Sequence, residues 1–102
     1  MTDKELVFTL ITPNELKDDI VDRLMNFDVI SGFNLTAING YSKKHSAYNI
    51  EEQVRGYREL TRFDILISAS KTNKLKAHLS ALSQRNELRY WQTAVIDGGH
   101  IL

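Results

Sequence analysis

Between Gly40 and Tyr57 the sequence gathers side chains suited to holding an ion or a partner. Lys43, Lys44 and His45 stand in a row, Tyr41, Tyr48 and Tyr57 surround them, and Glu51, Glu52 and Arg55 follow. The cations suit an anion or an acidic surface, because charge-assisted hydrogen bonds are the strong ones. The competing reading is an extended hairpin with ordinary solvated charges, each worth little. Length decides in favour of function, since connections beyond ~12–15 residues are uncommon in a small domain and tend to be functional. Gly40, Tyr41, Lys43, Lys44, His45, Tyr48 and Arg55 are therefore the candidate ligand-binding or partner-binding residues. Within the stretch, Asn49-Ile50-Glu51-Glu52 has capping-box spacing, so Ile50 to Arg55 is expected as a helical turn stopped by Gly56.

Metal chemistry has a weaker signal. The three histidines, His45, His78 and His100, are nowhere at i, i+2 or i, i+4, so no local ligand pair exists. A site assembled across subunits would use His45, Glu51, Glu52 and His100, whereas His78 lies at the edge of an apolar helix face and reads as structural. Catalysis has no constellation. Cysteine is absent, and no Ser-His-Asp order, G-x-S-x-G, P-loop or G-x-G-x-x-G occurs. Asp18, Asp19 and Asp22 fall on one helix as a solvated face, and the chain is not expected to be an enzyme.

Composition narrows the partners. Lys plus Arg and Asp plus Glu both number 13, so no global basic field draws the chain to nucleic acid. The first residues are too charged for a signal peptide, and no apolar run approaches the ~20 residues of a membrane span. A cytoplasmic protein without membrane insertion is expected. At 102 residues it has the size of one domain.

The elements that carry the loop follow from period and punctuation. Leu6 to Ile11 reads as a buried strand. Thr12-Pro13-Asn14-Glu15 has the order of a capping box, opening a helix striped by Leu16, Ile20, Leu24 and Phe27 that stops before Gly32. Phe33 to Asn39 forms a second strand ending near Gly40, and Arg58 to Ala69 a third. Ser70 is the expected N-cap of a second helix, with Leu75, His78, Leu79 and Leu82 on one face and Gln84-Arg85-Asn86 at its end. Glu87 to Ile96 forms the fourth strand, and Gly98-Gly99 terminates it as a break rather than a phosphate cradle.

Two β-α-β halves with singly striped helices predict an α+β ferredoxin-like βαββαβ sandwich: a four-stranded antiparallel sheet with two helices on one face. The other face should then be polar, yet Val7 and Ile11 alternate with Leu6, Phe8 and Leu10, and Leu66 sits between Ile65 and Ile67. Covering that second face calls for more protein. Copies of the same chain are the expected source, so a homo-oligomer follows from the pattern.

Asn39-Gly40-Tyr41-Ser42-Lys43-Lys44-His45, following a capped helix and a second strand, resembles the start of the long T-loop of PII signalling proteins, and the order of elements matches PII over nearly the whole chain. Glu52 to Gly56, Glu-Gln-Val-Arg-Gly, is similar to a motif in a small bacterial PII-like family of undefined activity. The resemblance implies a trimer with inward-facing sheets, effector binding at subunit clefts, and a T-loop that contacts a partner protein such as a membrane transporter. Gly40 matches the loop-base glycine, and Lys43 and Lys44 stand where PII carries an arginine and a glutamine near the nucleotide phosphates. Elsewhere the chain departs from PII. Ser83-Gln84-Arg85-Asn86-Glu87 lacks the Gly and Lys of its phosphate loop, and Ala94-Val95-Ile96-Asp97 replaces its arginines. Too few donors remain for a triphosphate, so no cofactor is assigned and nucleotide binding is not expected. A divalent metal is the alternative, because the chain also resembles the copper-tolerance CutA proteins, which share the fold.

Overall fold

The computed structural model describes residues 3–43, 49–83 and 88–102. Strands β1 (Glu5–Pro13), β2 (Phe33–Gly40), β3 (Arg58–Ser68) and β4 (Arg89–Ala94) form one antiparallel sheet in the order β2-β3-β1-β4. Helices α1 (Lys17–Met25) and α3 (Thr72–Leu79) follow β1 and β3, and the short α2 (Ile50–Arg55) lies between β2 and β3. This is the ferredoxin-like βαββαβ arrangement expected from the sequence.

The apolar alternation of the two central strands makes the core. Phe8 and Leu10 of β1 and Phe63, Ile65 and Ile67 of β3 point to one face, where Ile20 and Leu24 of α1 and Leu75 and Leu79 of α3 cover them. With nine and eight residues, α1 and α3 are shorter than helices that persist alone in water, so this packing holds them. His78 ties the two together. Its ring stacks on Phe27 at 4.8 Å, its Nε2–H donates to the Arg23 carbonyl at 2.7 Å, and the Arg23 guanidinium donates to the His78 carbonyl at 3.0 Å. His78 is thus a structural residue between helices.

Both expected helix caps are corrected by the structure. Thr12 remains in the β1–β3 ladder opposite Thr61, and its hydroxyl is buried with no partner among the described residues. Pro13 is extended, and a 3-10 turn over Asn14–Leu16 leads into α1 without a side-chain cap. The Asn14 side chain instead accepts from the Thr61 hydroxyl at 2.8 Å. A buried, unmade hydrogen bond costs about 1–3 kcal/mol. Thr12→Val is therefore expected to raise stability by about 1 kcal/mol, seen as a higher denaturation midpoint with unchanged denaturant slope.

At α3, a 3-10 turn over Ala69–Lys71 takes the place of the Ser70 cap, and Ser70 donates through both backbone N–H and hydroxyl to the Asp3 carboxylate. Those two bonds favour the ionised form and lower the Asp3 pKa. A lowered folded-state pKa gives stability that is present above the ordinary carboxylate pKa and lost as pH falls through the folded value. Asp3→Asn is expected to lower the neutral plateau and flatten the acid limb while leaving stability at low pH unchanged, measured by urea denaturation across pH. The fourth strand ends at Ala94 rather than Ile96, because Ala94 pairs with Leu6 near the start of β1, and Val95 N–H reaches the Glu5 carbonyl only at 3.4 Å.

Candidate functional site: the β2–β3 loop and the open sheet face

The loop leaves and rejoins the sheet at one point, since Gly40 of β2 pairs with Arg58 of β3. Gly40 does not need a left-handed backbone; a Cβ there would come within 2.5 Å of Leu60 Cδ1, so closeness to a side chain is what favours glycine. Just beyond this pair the Tyr41 and Tyr57 rings meet at 5.7 Å, and the Arg55 guanidinium lies 5.4 Å from the Tyr57 centroid. Such cation–π contacts contribute about 0.5–1 kcal/mol at exposed sites. The two ends of the loop are thereby pinched together.

The expected capping box is formed. The Asn49 side chain accepts from Glu52 N–H at 2.8 Å and Glu52 Oε1 accepts from Asn49 N–H at 2.9 Å. Gly56, at φ +81°, closes α2 in the left-handed conformation that glycine adopts without strain. The same Glu52 carboxylate reaches Arg58 Nε at 3.0 Å, and Glu52 is buried. One side chain therefore caps the loop helix and fastens it to β3. Asn49→Ala is expected to cost about 1 kcal/mol locally, read as faster amide exchange across residues 50–55 with the sheet amides unaffected.

Of the candidate residues, Gly40, Tyr41, Lys43 and Arg55 gather at the loop base and its flanks, with Tyr41, Lys43 and Arg55 exposed. Lys44, His45 and Tyr48 lie outside the described residues, as do residues 84–87. The metal set is dispersed where it is described. Glu51 is exposed on α2, Glu52 is committed to Arg58 and its own cap, and His100 follows β4, which leaves the sheet at the end away from the loop. Among the described residues no three of His, Cys, Asp and Glu form a cluster.

Sequence reasoning missed two aliphatic side chains. Ile50 and Val54, one turn apart on α2, are 79% and 83% exposed and stand out from the loop as a small apolar ridge. Their i, i+4 spacing was the available signal. A cavity of about 200 Å³ also lies between α3 and β4, walled by Phe8, Leu10, Leu79 and Leu88, with Lys76 Nζ 4.7 Å from the Tyr90 centroid at its rim. It is smaller than typical ligand pockets of ~300–1,000 Å³.

The sheet face opposite the helices carries Val7, Thr9 and Ile11 of β1, Leu60, Arg62, Asp64 and Leu66 of β3, and Arg89, Trp91 and Thr93 of β4. Leu66 is 45% and Trp91 38% exposed. At its centre the Thr9 hydroxyl donates to Asp64 at 2.8 Å, and Arg62 Nε approaches the same carboxylate at 3.1 Å. The face mixes apolar side chains, Val7, Ile11, Leu60, Leu66 and Trp91, with polar ones, of which Thr9, Asp64 and Arg62 are paired at its centre. Among the described residues, no helix is long and apolar enough to cross a membrane.

A four-stranded βαββαβ sheet with a long anchored β2–β3 loop places this chain among the PII-like, ferredoxin-like α+β folds. Its fold is similar to that of CPII, a nitrogen regulatory PII-like protein from Thiomonas intermedia solved with ADP, AMP and bicarbonate (TM-score 0.70, 12% identity, 95% of this chain and 96% of that one). The chain belongs to the DUF3240 family, described as a protein of unknown function, whose model matches residues 2–102. A DUF3240 family protein from Shewanella baltica is 32% identical, with TM-score 0.82 over 99% of this chain and 100% of that one. A Bacillus cereus protein related to NIF3 shares the fold over 98% of this chain but 27% of its own (TM-score 0.68, 14% identity). No curated protein matches the sequence.

Proposed function

We propose that this chain is a PII-like regulatory protein that forms a homotrimer through its open sheet face, binds a small ligand or ion at the clefts between subunits, and engages a partner protein through the Gly40–Tyr57 loop. The observation that carries this reading is the loop's construction. It is pinched at its base by Tyr41 and Tyr57, fastened by Glu52 to Arg58, and still turns Ile50 and Val54 outward. Burying Ile50 and Val54 on a partner would contribute roughly 1.5–3 kcal/mol each, more than the exposed lysines. A membrane transporter is the class of partner that the PII likeness favours. The protein acts by binding rather than turnover.

The test is light scattering and thermal denaturation of the purified protein, alone and with ADP, ATP, bicarbonate or divalent metal ions. A trimeric mass with a rise in melting temperature for one addition supports the reading and identifies the effector class. A protomer mass at all concentrations, with no shift for any addition, refutes it.

A further inference from the structure

The stretch after β4 is apolar and uncovered. Ile96, Ile101 and Leu102 have relative exposures of 102%, 104% and 114%, so each shows as much surface as in an isolated chain. Val95, Ile96, Ile101 and Leu102 share the stretch with a single carboxylate, Asp97, which is not the polar, charged composition of chain that stays in solvent. Gly98 and Gly99 between them let the direction of the segment change freely.

A second surface on the same chain complements it. Trp91 and Arg89 lie on the open sheet face, on the edge strand β4, with the Arg89 guanidinium 5.5 Å from the Trp91 centroid. Among the described residues Arg89 has no carboxylate partner, and Asp97 has no cationic one. Half-exposed Leu66 continues the apolar surface inward across β1. A segment with aliphatic side chains and one acid thus has a counterpart in the exposed Trp91 and Leu66 of the open face, with the Arg89 cation beside them.

We infer that residues 95–102 of one copy pack on the open sheet face of a second copy, with Ile96 and Ile101 against Trp91 and Leu66, and Asp97 paired with Arg89. The inference rests on the oligomer reading above and adds to it the element that joins the copies. Every chain carries one segment and one receiving face, so a head-to-tail contact uses both, and in the closed homotrimer proposed above neither is left over. A foreign partner would satisfy only one of the two.

Trp91 is the single tryptophan, so its emission reports the receiving face while light scattering reports mass. Wild type is expected at a multiple of 11.7 kDa with blue-shifted emission that moves red on dilution. Ile96→Asp with Ile101→Asp alters only exposed positions, so its far-ultraviolet circular dichroism should match wild type while association weakens at least tenfold and emission is red-shifted. Asp97→Arg alone should weaken association, and adding Arg89→Asp should restore it. If the double aspartate variant keeps the wild-type mass, the segment is not the joint, and the oligomer stands on the sheet face alone. If mass falls but Trp91 emission does not change, the receiving face is wrong. A wild type that stays at protomer mass at every concentration overturns this inference and the oligomer reading together.

Discussion

Replacing Phe63 by alanine is expected to remove about 3–5 kcal/mol of stability, because the ring is fully buried at the centre of the sheet and the space it leaves cannot collapse between two central strands and two helices. Folded domains hold only about 5–15 kcal/mol in total, so this variant should lie near the edge of folding at ambient temperature. Urea denaturation followed by far-ultraviolet circular dichroism measures it. A loss below ~1 kcal/mol would mean that Phe63 is not the keystone of this core. Phe63→Leu, which refills most of the space, should recover a large part of the difference.

The second large effect belongs to the other side of the sheet. Leu66→Asp should leave the protomer folded, since residue 66 points away from the core, yet abolish self-association. An aspartate there would stand unpaired in a buried interface, beside Asp64 two residues away, and an uncompensated buried charge costs several kcal/mol. Sedimentation or light scattering should then give 11.7 kDa at concentrations where the wild type is a multiple of it. If Leu66→Asp assembles normally, the open face is not the interface.

Sheet and helices were legible in the sequence because the apolar period is clear where burial decides it. Phe8 and Leu10, Ile20 and Leu24, and Phe63, Ile65 and Ile67 were all placed by alternation or by helical spacing. Both caps were misread for one reason. Thr12 and Ser70 have cap-forming side chains, but Thr12 is claimed by the strand ladder and Ser70 by Asp3, which is distant in sequence. Local chemistry proposes a cap, and long-range pairing can outbid it.

The loop shows the same division. The Asn49–Glu52 box was readable because its four residues are contiguous. The tie from Glu52 to Arg58 was not, because it depends on α2 lying against the start of β3. The apolar ridge of Ile50 and Val54 was hidden by the attention that lysines, histidine and tyrosines draw, although aliphatic spacing carried the signal. Beyond β4, the strand was read two residues too far because Val95 and Ile96 have strand-forming side chains, while the ladder runs out when β1 begins.

The pairing of Gly40 with Arg58 has an evolutionary consequence. Because the hairpin register is closed there, the described residues between those two positions lie outside the sheet, and changing the length of the connection adds only slowly to the entropy of closure. Lineages that inherit this scaffold can rewrite what the insertion recognises without renegotiating how the strands align. Divergence among descendants should therefore concentrate between positions 41 and 57, while the sheet and the helices over it drift within the limits of their packing.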